Sequence, residues 1–138
     1  MQNFMAKPGR VIYCVDDDPM FQRLLALALQ EDHPGLRFFA AGEPFLEQLS
    51  KGGNPDLVVL DYHLGSMNGL DILRYLRAVH PEIRVIVLSA QEDIEVAVNA
   101  LKAGAFDYIV KDARALGNLK RSICQLEEVD SGFLAYNL

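Results

Sequence analysis

The chain has 138 residues, about one domain on a scale of ~100–200 residues per domain. Its 13 Lys and Arg against 19 Asp and Glu leave a formal net charge of −6 and a pI near 4.9, which argues against a surface built to coat nucleic-acid phosphates or an anionic membrane. With 51% apolar and 23% charged residues the composition is that of a folding globular chain, and no apolar run approaches the ~20 residues needed to cross a bilayer.

From the N-terminus, Met1 to Arg10 is polar and contains a Pro-Gly pair where a secretion signal needs a continuous apolar stretch, so cytoplasmic placement is expected. Cys14 and Cys124 form neither a C-x-x-C nor a metal-ligand cluster, and both read as reduced core thiols. Five short apolar runs, Val11–Val15, Leu36–Ala40, Leu57–Leu60, Val85–Leu88 and Tyr108–Val110, predict strands separated by helical segments. This alternation is that of βα units around a parallel sheet. The third and fourth runs are apolar at every position, as strands buried on both faces are, and belong in the middle of the sheet.

Phe21, Leu24, Leu25, Ala28 and Leu29 predict a first helix with one wide apolar stripe. A short second helix runs from Glu43 to Lys51, with Pro44 in its first turn and Gly52-Gly53 as its stop. Leu70, Ile72, Leu73, Leu76 and Val79 give a third, confined to Asn68–Val79 because the residue before Pro81 is pushed out of the α region. The fourth places Ile94, Ala97, Val98 and Leu101 on one face and ends at Gly104; a second, weaker face of Val96, Ala100 and Ala103 reads more plainly as part of a broad core-facing stripe, with a partner surface of small apolar groups as the alternative. The fifth, Ala113 to Glu127, turns Leu116, Leu119, Ile123 and Leu126 to one side. Residues 1–9 read as an N-terminal extension, 10–127 as the domain, and 128–138 as a tail or linker stump.

In open parallel sheets, ligands bind beyond the carboxyl ends of the strands. Here those ends carry Asp16-Asp17-Asp18-Pro19, Asp61, Ser89-Ala90 and Lys111. If the first and third strands are neighbours, Asp16, Asp17 and Asp61 converge, and each carboxylate pair ~4 Å apart costs about 4 kcal/mol at an effective dielectric of ~20. A hard divalent cation, Mg²⁺, would cancel that repulsion and leave sites for phosphate oxygens. Asp61 stands alone and suits a nucleophile toward phosphorus; the tandem Asp16 and Asp17 suit the metal. Ser89 and the Ala90 N–H would bind phosphoryl oxygens, with Lys111 as counter-charge. Singly, each residue has a plainer reading: an Asp-Pro helix cap, an Asx turn, a solvated lysine. Their occurrence together at four strand ends is what points to phosphoryl chemistry.

The segments Val11–Pro19, Leu57–Leu64 with Met67–Leu70, Val87–Ala90 and Gly104–Lys111 resemble the receiver domain of two-component response regulators, over roughly residues 10–127. That resemblance implies a flavodoxin-like (βα)5 doubly wound α/β fold with strand order 2-1-3-4-5. It implies Asp61 as phosphoacceptor from a histidine kinase or histidine phosphotransfer protein. Mg²⁺ would be ligated by Asp17, Asp61 and the main-chain carbonyl of His63, with Asp16 acting through water. Ser89 would move toward the phosphate, Tyr108 would turn inward, and Lys111 would pair with phosphoryl oxygens. The output would pass to an unnamed effector protein through the fourth helix, fifth strand and fifth helix, or through a phosphorylation-dependent homodimer. The protein would be a signalling switch, not an enzyme acting on other substrates, and this domain would bind neither nucleic acid nor membrane.

Two departures stand out. Gly65 replaces the family's usual Pro after the acceptor, predicting a less constrained loop. Asp112 replaces the Pro after the lysine, predicting a trans or strained Lys111-Asp112 bond and a displaced ammonium. His63 and Gln91 would border the phosphoryl group and tune its access to water. A Mg²⁺-dependent aspartate phosphatase is a weaker reading, because Met20 stands where that class has Thr or Val and no room remains for a cap domain. A flavin or nucleotide site is disfavoured by the acidic first turn. The chain reads as a stand-alone receiver or the receiver part of a longer protein.

Overall fold

The five apolar runs pair side by side in parallel. The computed structural model describes residues 9–90, 93–130 and 132. In chain order these form β1 (Ile12–Val15), α1 (Pro19–Leu29), β2 (Arg37–Phe39), α2 (Gly42–Ser50), β3 (Leu57–Asp61), β4 (His63–Leu64), β5 (Met67–Asn68), α3 (Gly69–Val79), β6 (Arg84–Ser89), α4 (Ile94–Lys102), β7 (Asp107–Val110) and α5 (Ala115–Asp130). The main sheet has the order β2-β1-β3-β6-β7, all parallel, while β4 and β5 make a separate antiparallel hairpin. With the hairpin set aside, this is the expected 2-1-3-4-5 order of a flavodoxin-like doubly wound α/β sheet.

Successive strand residues point to opposite faces, so each central strand feeds two cores. Tyr13, Val15, Val58, Leu60, Val85 and Val87 pack against Phe45 and Leu49 of α2, Ile72, Leu73 and Leu76 of α3, and Ala100 of α4. Ile12, Cys14, Leu57, Val59, Ile86 and Leu88 face Phe21, Leu25 and Leu29 of α1 and Leu119, Ile123 and Leu126 of α5. Every residue of β3, and every residue of β6 after Arg84, is buried, as the uninterrupted apolar runs Leu57–Leu60 and Val85–Leu88 predict. Asp18 caps α1 by accepting from Met20 N at 3.0 Å, with Pro19 in the first turn. The plain cap reading therefore holds for one aspartate of the run and leaves Asp16 and Asp17 for other work.

Two packing expectations are corrected. In α4, Ile94, Val98 and Leu101 of the expected core face are 82%, 40% and 47% exposed, whereas Ala100 of the weaker face is fully buried, as the core-facing reading of that face has it. Ala97 is half-buried, as are Val96 and Ala103. The cluster that receives Ala100 is already filled by Val85 and Val87 of β6, Tyr108 of β7 and Ala105 of the loop before β7, so the helix sits close and a small side chain fits beneath it. Cys124 is the second correction: it is exposed on α5, and only Cys14 is buried. Burial pushes the Cys14 thiol far up from its ordinary range, which keeps it an unreactive core group.

Helix α5 runs to Asp130, three residues past its expected end, because Asp130 is gripped by Arg10 at 3.0 Å and Arg84 at 2.8 Å. Expectations about residues 1–8, Gln91, Ser131 and 133–138 lie outside the described residues.

Candidate functional site

Strand register brings the chemical residues to one rim. Val15 pairs with Leu60, so Asp16 and Asp61, each one step further, lie side by side at the ends of β1 and β3. Asp61 pairs with Leu88 of β6, and Ser89 with Val110 of β7. The Lys111 N–H then donates to Ser89 O at 2.8 Å, fixing the lysine opposite the aspartates. One carboxylate oxygen each from Asp16, Asp17 and Asp61 falls within 4.8 Å of the others. Asp16 and Asp61 are buried and Asp17 is exposed, so the cluster opens to solvent on the Asp17 side.

Each buried carboxylate is held by named donors. Asp16 Oδ1 accepts from Asp18 N at 2.9 Å, and its Oδ2 lies 2.7 Å from Lys111 Nζ. Asp61 Oδ2 lies 3.2 Å from the same ammonium, and its Oδ1 takes a long 3.3 Å bond from His63 N. Burial raises the Asp61 pKa above its ordinary value; Lys111 opposes the rise and Asp16 adds to it. Burial also disfavours the Lys111 charge, but the ion pairs with Asp16 and Asp61 outweigh it and raise its pKa, so it stays an ammonium. Three carboxylates against one ammonium leave the site two charges short of neutral. The donor set is all oxygen and hard, which fits a divalent cation of the Mg²⁺ or Ca²⁺ type.

The backbone around the cluster is tightly specified. At Gly69, where α3 starts, an added Cβ would meet Asp61 O at 2.5 Å and Tyr62 Cα at 2.8 Å, so only glycine lets the helix begin against the end of β3. Asn68 caps that helix through Leu70 N at 2.7 Å. In the loop after Asp61, Gly65 takes φ +67° at the tip of the β4–β5 hairpin, and Ser66 Oγ donates to Glu43 Oε2 at 3.0 Å. The Lys111-Asp112 bond is trans, as expected, since the described residues contain no cis peptide. The lysine is not pulled out of the site by it. Asp112 N donates to Val110 O at 2.9 Å and Asp112 Oδ1 accepts from Arg114 N at 2.8 Å, a compact turn that stands where the family has proline.

Of the remaining expected residues, Ser89 is fully buried at the rim, Ala90 is exposed beside it, and Tyr108 is half-buried on β7. His63 is exposed, with its ring 4.9 Å from that of Tyr62. Two contributors escaped the sequence reading. Gln22 Nε2 donates to Asp16 O at 2.6 Å and fixes the first turn, and the Phe21 ring lies under Lys111 Nζ at 4.8 Å. Gln22 reads as an ordinary polar helix residue and Phe21 as core, and no spacing rule marks either.

The model of the response regulator receiver domain matches residues 12–123. The chain belongs to the response regulator receiver domain family. It is 35% identical over 111 residues to the alginate biosynthesis transcriptional regulatory protein AlgB of Pseudomonas aeruginosa, an alignment covering 80% of this chain and 24% of AlgB. It thus spans about a quarter of that relative's length. The BeF3-activated receiver domain of DrrB, from Thermotoga maritima, matches with TM-score 0.72 and 30% identity, over 83% of this chain and 97% of that one. A Burkholderia pseudomallei response regulator crystallised with a phosphorylated aspartic acid, calcium ion and citrate matches with TM-score 0.71 and 27% identity, over 92% and 74% of the two chains. This receiver domain is a phosphoacceptor module of two-component signalling. Among its described residues no helix is long and apolar enough to cross a membrane.

Proposed function

We propose that Asp61 is the phosphoacceptor of this receiver domain and takes its phosphoryl group from a histidine kinase or histidine phosphotransfer protein. The observation that carries the assignment is the pairing of a buried Asp61 with Lys111 at 3.2 Å, inside a cluster shared with Asp16 and Asp17. An Asp61 carboxylate oxygen forms the bond to phosphorus as the phosphorus–nitrogen bond to the donor imidazole breaks, and the leaving imidazole keeps the electron pair and takes up a proton. Asp16, Asp17, Asp61 and the main-chain carbonyl of His63 would hold Mg²⁺, Asp16 largely through water. The ion supplies charge neutralisation for the incoming phosphoryl oxygens.

The Lys111 ammonium exchanges its Asp61 contact for a phosphoryl oxygen, and the Ser89 hydroxyl and Ala90 N–H meet others. His63 borders the group, and replacing His63 or Gln91 changes the lifetime of the phosphoryl. Inward movement of Ser89 and Tyr108 couples the site to α4, β7 and α5, where Ile94, Val98 and Leu101 already present an apolar surface. That face suits an effector protein or a second copy, in a cytoplasmic protein whose own chemistry is limited to its phosphorylation and dephosphorylation. With a net charge of −6, nucleic acid is not the partner of this domain.

The test is intact-mass measurement after incubation with acetyl phosphate and Mg²⁺. A one-phosphoryl gain in the wild type that EDTA and Asp61→Asn both abolish supports the reading. No gain, together with no beryllofluoride binding, makes the protein an adaptor that works without phosphorylation.

A further inference from the structure

Lys111 has a third partner besides the two carboxylates. Its Nζ stands 4.8 Å from the centroid of the Phe21 ring, within the range of a cation–π contact. Phe21 is the third residue of α1 and is 9% exposed, with its ring embedded among Leu25, Ile109, Leu119 and the rest of the core between α1, α5 and the sheet. The Lys111 side chain is itself only 13% exposed, so ring and ammonium meet where water is largely excluded. We propose that Phe21 is a positioning residue for phosphoryl transfer, its ring face holding the Lys111 ammonium at the rim of the site; this rests on the roles assigned above to Asp61 and Lys111.

When an Asp61 oxygen bonds to phosphorus, the carboxylate loses the charge that held the ammonium at 3.2 Å. Asp16 also holds it, at 2.7 Å, but an ion in the acidic cluster would compete for the same carboxylate. The ring face keeps its partial negative charge through every stage. It is therefore the one of the three contacts that does not depend on the state of the site, and it keeps the ammonium beside the phosphoryl oxygens instead of in water. An aliphatic side chain at position 21 would fill the core and offer no such attraction.

The experiment uses the whole chain, with the variants Phe21→Leu, Phe21→Tyr, Lys111→Met and the double variant Phe21→Leu/Lys111→Met. Three quantities are read: the rate constant for phosphorylation by acetyl phosphate with saturating Mg²⁺, the thermal midpoint, and the NMR shift of the Lys111 Cε protons. The wild type should show those protons shifted upfield by the ring current, and Phe21→Tyr should retain the shift. Phe21→Leu should lose the shift and slow phosphorylation roughly three- to thirty-fold, the span of a partly desolvated cation–π contact. Phe21→Tyr should restore the rate, and in the Lys111→Met background Phe21→Leu should cost nothing further.

Unshifted Cε protons in the wild type overturn the proposal, and so does an unchanged rate in a folded Phe21→Leu. An undiminished Phe21→Leu effect in the Lys111→Met background also overturns it, since the ring would then act through packing alone. If Phe21→Leu does not fold, the shift in the wild type and in Phe21→Tyr decides. A wild type that takes up no phosphoryl group removes the Asp61 assignment and with it the role in transfer, while the Lys111 shift separately reports whether ring and ammonium are in contact.

Discussion

Lys111 is bound more closely to Asp16 than to Asp61, at 2.7 Å against 3.2 Å, so the ammonium is anchored on the carboxylate that is not expected to react. With no ion competing for Asp16, removing the charge of Asp61 therefore leaves the lysine on Asp16. It also removes a charge that the fold disfavours, since burial, helped by Asp16, raises the Asp61 pKa despite Lys111. A group with a raised folded-state pKa contributes stability below its unfolded value, near ~3.9, and that contribution is lost as pH rises through the folded value. At neutral pH the ionised Asp61 is thus a net cost. In EDTA, Asp61→Asn should melt above the wild type, by on the order of 3 °C per kcal/mol of repulsion relieved, and Mg²⁺ should narrow the gap by stabilising the wild type. Calorimetry with and without the ion checks both; a variant that melts no higher in EDTA contradicts the argument.

The middle of the sheet was legible in the sequence because strands buried on both faces have no polar positions, as Leu57–Leu60 and Val85–Leu88 show. The rim was legible for the same reason: Asp16, Asp61, Ser89 and Lys111 each interrupt or end an apolar run. The orientation of α4 was not, because Ile94, Val96, Ala97, Val98, Ala100 and Leu101 give the helix apolar residues on more than one side and hydropathy alone does not reveal how near the sheet lies. Gln22 and Phe21 were invisible as site residues for a different reason. Their contacts are made by side-chain reach across elements, and neither residue type is unusual where it stands.

His33 predicts a pH dependence remote from the site. It is buried, and its Nδ1 accepts from Arg10 N at 3.0 Å, which requires the neutral ring. Burial lowers its pKa, with Glu127 and Asp32 opposing and Arg10 assisting. The folded state therefore binds a proton less readily than the unfolded state. The stability this contributes is present above the unfolded value of about 6.5 and is lost as pH falls through the lower folded value. His33→Asn keeps an acceptor and removes the titration, so the difference in unfolding free energy between wild type and variant should change between about pH 7.5 and 5 in that direction. Urea titrations across this range read it, and a constant difference rules it out.

Asp130 joins Arg10 and Arg84 and holds the last turn of α5 against the start of the sheet. The Arg10 side chain is 9% exposed and that of Arg84 38%, so the first pair is the stronger candidate for a measurable contribution. Asp130→Asn should lower stability by about 1–2 kcal/mol, and Arg84→Ala by less than about 1 kcal/mol. Hydrogen exchange in the last turn of α5 should rise in Asp130→Asn while phosphorylation from acetyl phosphate stays at the wild-type rate. A change in that rate would mean that the far end of α5 is coupled to the site.

The seating of α4 gives an asymmetric pair of substitutions. Ala100 is completely buried beneath the helix, and Leu101, its neighbour in sequence, is 47% exposed. Ala100→Leu forces three extra carbons into a gap that only a methyl group fills, which should cost about 1–3 kcal/mol and lift α4 from β6 and β7. Leu101→Ala removes the same number of carbons from a half-solvated position and should cost less than about 1 kcal/mol. Had the large apolar residues faced the core, the order would be reversed, because truncating a buried leucine typically costs ~2–5 kcal/mol. Chemical denaturation of the two variants distinguishes these cases. The same pair separates packing from signalling: Leu101→Ala should leave phosphorylation unchanged and weaken whatever binds the α4, β7 and α5 face, since it removes apolar surface that this protein leaves exposed.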